Sequence, residues 1–90
     1  MDFKYEESRI YLENEKGECI AEVTFPKTSE NKVNVNHTYV DESLRGQGVA
    51  GKLMTALAQN LRESNRKAIA TCPYAMDWFE KHPEYEDVTD

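Results

Sequence analysis

The hydrophobic rhythm of the chain changes once, near residue 48. Before it, apolar residues fall on alternate positions; after it, they recur every three or four residues. Cys19, Ala21, Val23 and Phe25 alternate with Ile20, Glu22 and Thr24, which predicts a strand with one apolar face. Arg9 to Glu13 predicts a strand before it, and Asn14-Glu15-Lys16-Gly17 between the two reads as a hairpin connection with Gly17 at the position of positive φ. The polar run from Pro26 to Lys32 reads as a loop between strands. After it, Val33, Val35, His37 and Tyr39 alternate with Asn34, Asn36 and Thr38 as one further strand, so the first half is an antiparallel meander.

From Gly48 to about Ser64 the period is helical, with Val49, Leu53, Ala56, Leu57 and Leu61 on one stripe. Lys67 to Thr71 is a short apolar strand. Pro73 opens a helix over Tyr74 to Lys81, Pro83 ends it, and Tyr85 to Val88 is expected to form a last short strand. Within this half Trp78 and Phe79 are expected as core anchors and Met54 and Met76 as gap fillers, with His82 at a helix end that favours it.

Ninety residues support one domain, 1–90, with one modest core. Seventeen Asp and Glu against eleven Lys and Arg leave a net charge of −6. Such a field repels phosphate backbones, argues against nucleic acid and membrane surfaces as partners, and favours cations such as amines. Any anion must then be held by a local device of backbone N–H groups and a few basic side chains. The first residues carry no signal-like apolar stretch and no run approaches a membrane span, so a cytoplasmic protein is expected. Cys19 and Cys72 have no C-x-x-C spacing, and neither a metal site nor a disulfide is expected of them.

The stretch SLRGQGVAGKLM, residues 43–54, reads as three phosphate-binding signatures at once. Gly46, Gly48 and Gly51 spell G-x-G-x-x-G, but the dinucleotide fingerprint needs a strand running straight into its first glycine and a carboxylate at the end of the next strand, and both are missing. Gly46 to Lys52 spells G-x-x-x-x-G-K, but Leu53 stands where a P-loop needs a metal-binding hydroxyl. The third, R-x-x-G-x-A over Arg45 to Ala50, needs only a strand, a polar loop and a helix whose first turn lacks bulky side chains, so that amides close on a pyrophosphate. Gly46, Gly48, Ala50 and Gly51 keep that turn narrow, and Arg45 and Lys52 add positive charge.

On these residues the segment VNHTYVDESLRGQGVAGKLMTAL resembles motif A of the GNAT superfamily of acyl-CoA N-acetyltransferases. NHTYV and ATCPYAMDWFEKHPEY resemble the small, roughly ninety-residue acetyltransferase-like branch of that superfamily, and the likeness runs over about residues 4 to 88. The resemblance implies an α+β fold: a mixed, mostly antiparallel sheet, a central pyrophosphate-binding helix and a short C-terminal helix. The sheet would splay between the strand carrying His37 and the strand ending at Thr71. It implies acetyl-CoA, or coenzyme A, in the opening. The backbone of Tyr39 and Val40 would pair with the pantetheine amides, and Gln47, Gly48, Val49, Ala50, Gly51 and Lys52 would surround the diphosphate. The activity implied is transfer of an acetyl group to an amine, on a small molecule or on a protein lysine or N-terminus. The alternative is a module that binds CoA or acyl-CoA without efficient catalysis.

Amine acetylation needs a neutral nucleophile, a polarised carbonyl and a proton for the leaving thiolate. His37 leads toward the cofactor loop and is the candidate to take the ammonium proton; as a lone His in a strand, it equally suits a structural hydrogen bond. Cys72 precedes Pro73, so its sulfur is expected near a helix N-terminus that favours thiolate. It is a candidate leaving-group acid, thioester contact or acetyl-accepting nucleophile, set against the plain reading of a small buried hydrophobe. One departure from the resembled pattern is Phe79, where larger members commonly carry a Tyr that protonates the thiolate; Tyr74 is the nearby substitute.

Overall fold

The computed structural model describes residues 2–90. Strands β2 (Arg9–Glu13) and β3 (Cys19–Thr24) pair antiparallel as expected, and a further strand that the alternation did not predict, β1 (Lys4–Glu6), pairs antiparallel with β2. The connection from β2 to β3 is tied by the Asn14 side-chain oxygen, which accepts from the N–H groups of Lys16 (2.9 Å) and Glu18 (3.0 Å). Gly17 takes φ +79° there, as its position in the hairpin requires.

Two expectations for the next segment are overturned. The polar run after β3 is not a loop: β4 (Lys27–Ser29) pairs antiparallel with β5 (Lys32–Val35), leaving only Glu30 and Asn31 to turn the chain. All of β4 is exposed, so main-chain pairing holds it and hydropathy carries no sign of it. Nor is the run from Val33 to Tyr39 one strand. It breaks at Asn36, whose N–H donates to the Thr24 carbonyl (3.2 Å) although His37 already stands opposite Thr24. One extra residue reverses the alternation beyond it. Val33 and Val35 are buried, but in β6 (His37–Val40) it is Thr38 and Val40 that lie opposite Val23 and Ala21 on the core side, while His37 and Tyr39 face outward and are exposed.

The same break divides the sheet. One half is ordered β1-β2-β3-β6; the other is β4-β5-β7, with β7 (Lys67–Ala70) parallel to β5. At the fork the Val35 carbonyl accepts from the N–H groups of both Thr71 (3.0 Å) and Cys72 (3.1 Å). Past that point β6 stays with β3, and the chain leaving β7 turns away into a helix. The result is the mixed, mostly antiparallel α+β arrangement, opened between the strand carrying His37 and the strand that leads to Thr71.

Helix α1 (Val49–Glu63) covers the inner face of both halves. Its buried side chains, Val49, Leu53, Met54, Leu57, Ala58 and Leu61, follow the helical stripe and meet Ile10, Val23, Phe25 and Val35 in one core. Each fully buried Leu contributes roughly 1.5–3 kcal/mol relative to exposure, so this face alone fixes α1 against the sheets. Helix α2 (Pro73–Lys81) starts with Pro73 in its first turn and buries the narrow stripe Ala75 and Trp78. Phe79 packs edge-on against Trp78 at 5.3 Å and is half-buried. Met54 fills the core, but Met76, expected as a gap filler, is 54% exposed because it lies off that narrow stripe.

The last expected strand is also corrected. Residues Pro83–Val88 form a 3₁₀ segment, begun by Pro83 and clamped by Arg62, which donates to both Asp87 carboxylate oxygens (2.7 and 2.8 Å) and to the Glu84 carbonyl (2.9 Å). Strand-like pairing comes one residue later: Thr89 bridges Ala68, and Asp90 donates its N–H to the Ala68 carbonyl. Among the described residues no helix is long and apolar enough to cross a membrane.

Candidate active site

The chain leaves β6 through Asp41, whose carboxylate accepts from Ser43 Oγ (2.6 Å), Ser43 N–H (3.0 Å) and Tyr39 Oη (3.2 Å). These bonds, those of Ser43 above all, hold the Asp41 carboxyl below its usual range and fix a 3₁₀ turn over Glu42–Leu44. The chain then reverses through Gly46 at φ +82° and Gly48 at φ +70°, conformations that cost a residue with a Cβ. Gly48 is the N-cap of α1, no side chain caps the helix, and no acidic residue occupies its first turn. The first amide of the helix to find an acceptor is Lys52, on the Gly48 carbonyl (3.1 Å). The amides before it are therefore left to a ligand or solvent, and nothing stands within 4 Å of where side chains at Gly46, Gly48 or Gly51 would begin.

These amides open into a cleft of about 260 Å³ between the end of β6, the loop, α1 and α2. Of the residues expected around the cofactor, Val40, Arg45, Gly46, Gly48, Val49, Ala50 and Gly51 line it. Gln47 is exposed and turns its side-chain amide to the Ser43 carbonyl, and Lys52 lines a second groove on the other side of the first turn of α1. Leu44 and Tyr74 join the lining. The signal for Tyr74 was its place one residue after the proline that starts α2; for Leu44 there was none.

Among the described residues no strand pairs with the edge of β6 on the cleft side. Asp41 donates to the Ile20 carbonyl, and continuing that alternation Tyr39 exchanges its backbone bonds with Glu22, whereas Thr38 and Val40 direct theirs away from β3. Thr38 also brings its Oγ1 to 3.6 Å from Cys72 Sγ. Cys72 is buried at the N-cap of α2. Burial pushes its thiol up, but the first-turn amides of Ala75 and Tyr74 and the Thr38 hydroxyl outweigh that and hold it below the ordinary thiol value. At the cleft wall, burial first and the charge of Asp77 second push the Tyr74 phenol above its usual value.

His37 and Cys72 are not brought together. Cys72 lies on the core side, while His37 is 52% exposed on the outer face, with Nε2 3.4 Å from a Glu22 oxygen whose partner oxygen binds Arg9 Nε at 2.7 Å. Among the described residues no cluster of His, Cys, Asp and Glu is arranged to hold a metal ion.

The fold that carries this cleft is shared with known proteins. A family model for GCN5-related N-acetyl-transferases matches residues 9–88. The solution structure of a candidate GCN5-like N-acetyltransferase from Staphylococcus aureus is 36% identical and superposes with a TM-score of 0.82 over 99% of this chain and 87% of that one. Comparison with curated protein sequences gave no match. Tetrahymena GCN5 (16% identity, TM-score 0.65, 81% of this chain and 48% of that one) shares the fold. So does Rv2747 from Mycobacterium tuberculosis, solved in complex with CoA (14%, 0.64, 84% and 47%). The chain thus belongs to the GCN5-related N-acetyltransferase family. It spans about half the length of those two larger relatives.

Proposed function

We propose that this protein moves an acetyl group from acetyl-CoA to a primary amine. The observation that carries the reading is the first turn of α1: amides with neither a cap nor an acidic neighbour, facing a cleft beside a divided sheet. A diphosphate suits that position, because oriented N–H groups and the positive end of the helix dipole favour anions, and Arg45 adds a cation. An extended pantetheine arm suits the unpaired backbone of Thr38 and Val40, in the manner of an added strand. Acetyl-CoA supplies the activated thioester; the chain supplies the rest. Tyr74 keeps its phenolic proton, since its pKa is raised, and is the donor for a departing thiolate in place of the residue at Phe79. Cys72, buried at the N-cap of α2 two residues before the cleft-lining Tyr74, is the candidate contact for the acyl group or its transient acceptor. His37, turned to the outer face beside Glu22, would take the proton of an incoming ammonium only through water. The net charge of −6 favours such cationic acceptors.

The separation of His37 from Cys72 favours one second reading, a coenzyme-binding module without efficient turnover. Calorimetry with CoA detects binding under either reading. Only the enzyme releases free thiol from acetyl-CoA when a panel of amines is added. Gly48→Glu, which sets an anion in the cradle, is expected to weaken CoA tenfold to about a hundredfold, the scale of losing charge-assisted hydrogen bonds. Gly48→Ala carries the same backbone strain without the charge and is expected to lose much less. Equal affinity of wild type and a folded Gly48→Glu would remove both readings.

A further inference from the structure

At the far end of α1, roughly 20 Å along the helix from the proposed coenzyme cleft, cations gather in a chain whose net charge is −6. A cavity of about 180 Å³ opens there between the last turn of α1, the start of β7 and the Pro83–Val88 segment, walled by Arg62, Asn65, Arg66, Lys67 and Asp87. Three of the chain's eleven Lys and Arg thus meet one of its seventeen Asp and Glu. The volume is several times the ~30 Å³ that a water takes in the liquid, which is room for a small oxyanion.

The cations are only partly satisfied. Arg62 holds the Asp87 carboxylate and the Glu84 carbonyl through Nε and Nη2, and its Nη1 makes no hydrogen bond among the described residues. Arg66 and Lys67 form no ion pair there: Arg66 donates to the Ser64 hydroxyl, the Asn60 side-chain oxygen and the Glu7 carbonyl, and Lys67 to the Asp87 carbonyl. These neutral partners leave N–H groups to spare, because a guanidinium has five and an ammonium three. Lys32 stands opposite Lys67 in the register of β5 and β7, and Asp90 pairs with Lys32 alone (2.7 Å). The negative end of a helix by itself disfavours anions, but here it is sealed. The carbonyls of Asn60, Leu61 and Arg62 accept from the N–H groups of Ser64, Arg66 and Asn65, with Asn65 at φ +56° making the turn.

The geometry points to a phosphate-binding site in this pocket, with a doubly charged phosphoryl group held by Arg62, Arg66, Lys67 and the side-chain amide of Asn65. Its ligand joins the end of α1 to the Pro83–Val88 segment, whose Tyr85 stacks on Trp78 of α2. The site stands apart from the coenzyme reading and does not depend on it.

The test is titration of ¹⁵N-labelled protein with inorganic phosphate and, separately, with phenyl phosphate, at an ionic strength held constant with sodium chloride. Saturable shifts are expected at the amides of residues 65–67 and 87–88. Shifts with both anions assign the site to the end group of a phosphate ester; shifts with inorganic phosphate alone assign it to the free ion. Lys67→Met, at an exposed position, is expected to weaken binding about fivefold, the scale of one solvent-exposed charge pair. Asn65→Gly keeps the positive φ, removes the amide and is expected to weaken it by about as much. Lys16→Met takes the same charge from the exposed β2–β3 hairpin and is expected to change nothing. No saturable shift at these residues with either anion, or an affinity that Lys67→Met leaves equal to that of Lys16→Met, overturns the assignment and leaves the coenzyme reading untouched.

Discussion

At Asn36 a single backbone residue decides which side chains of β6 reach the cleft. Because of it Thr38, not His37, faces Cys72. The sequence VNVNHTY alternates without interruption across the bulge, so the outward turn of His37 and Tyr39 was not legible. Cys72 was more legible, since a residue directly before a helix-opening proline sits at an N-terminus whatever the tertiary packing. Its thiol is held below the ordinary value, so the folded state favours the thiolate, and this contribution to stability is present at high pH and lost as pH falls through the folded pKa. The rate of alkylation of Cys72 against pH is expected to show a midpoint below that of the same cysteine in the unfolded chain. Thr38→Val removes one partner of the sulfur and is expected to move that midpoint upward. Coincident profiles for the two proteins would show that the hydroxyl does not act on the sulfur.

Among the elements, the turn from β6 into α1 was the easiest to read, because its chemistry lies in backbone amides that glycine placement alone exposes. Strand β4 was the hardest: Lys27, Thr28 and Ser29 are exposed and polar, and only their register against β5 makes them a strand. The Asp41 turn lies between these cases, a capping carboxylate whose partners Ser43 and Tyr39 are two residues away on either side. Its pKa is lowered in the fold, so the stability it lends is complete above the unfolded carboxylate value of ~3.9 and is lost as pH falls through the lower folded value. Asp41→Asn keeps the shape but cannot titrate. Melting temperatures measured between neutrality and acid should therefore fall more steeply below about pH 4 for wild type than for Asp41→Asn. Parallel curves would mean that this carboxylate contributes nothing in that range.

At the scale of the molecule, two half-sheets share one helix, and the fork between them comes from the same bulge that reorients β6. The acidic surface and the local cradle divide the electrostatic work: one favours a cation, the other an anion, and Arg45 and Lys52 form no ion pair with a carboxylate among the described residues. A splayed sheet was expected only through family resemblance, since alternation within each strand says nothing about which strands separate. Titration of ¹⁵N-labelled protein with CoA, followed amide by amide, is the most direct measurement on the cradle. Large shifts are expected for Gly46 to Gly51 and along the free edge at Thr38 and Val40, with the amides of Tyr5 and Tyr11, on the two strands of the half-sheet farthest from β6, unmoved. Saturable binding that leaves the amides of residues 46–51 unshifted, or no binding at all, would contradict the proposed role of this helix turn.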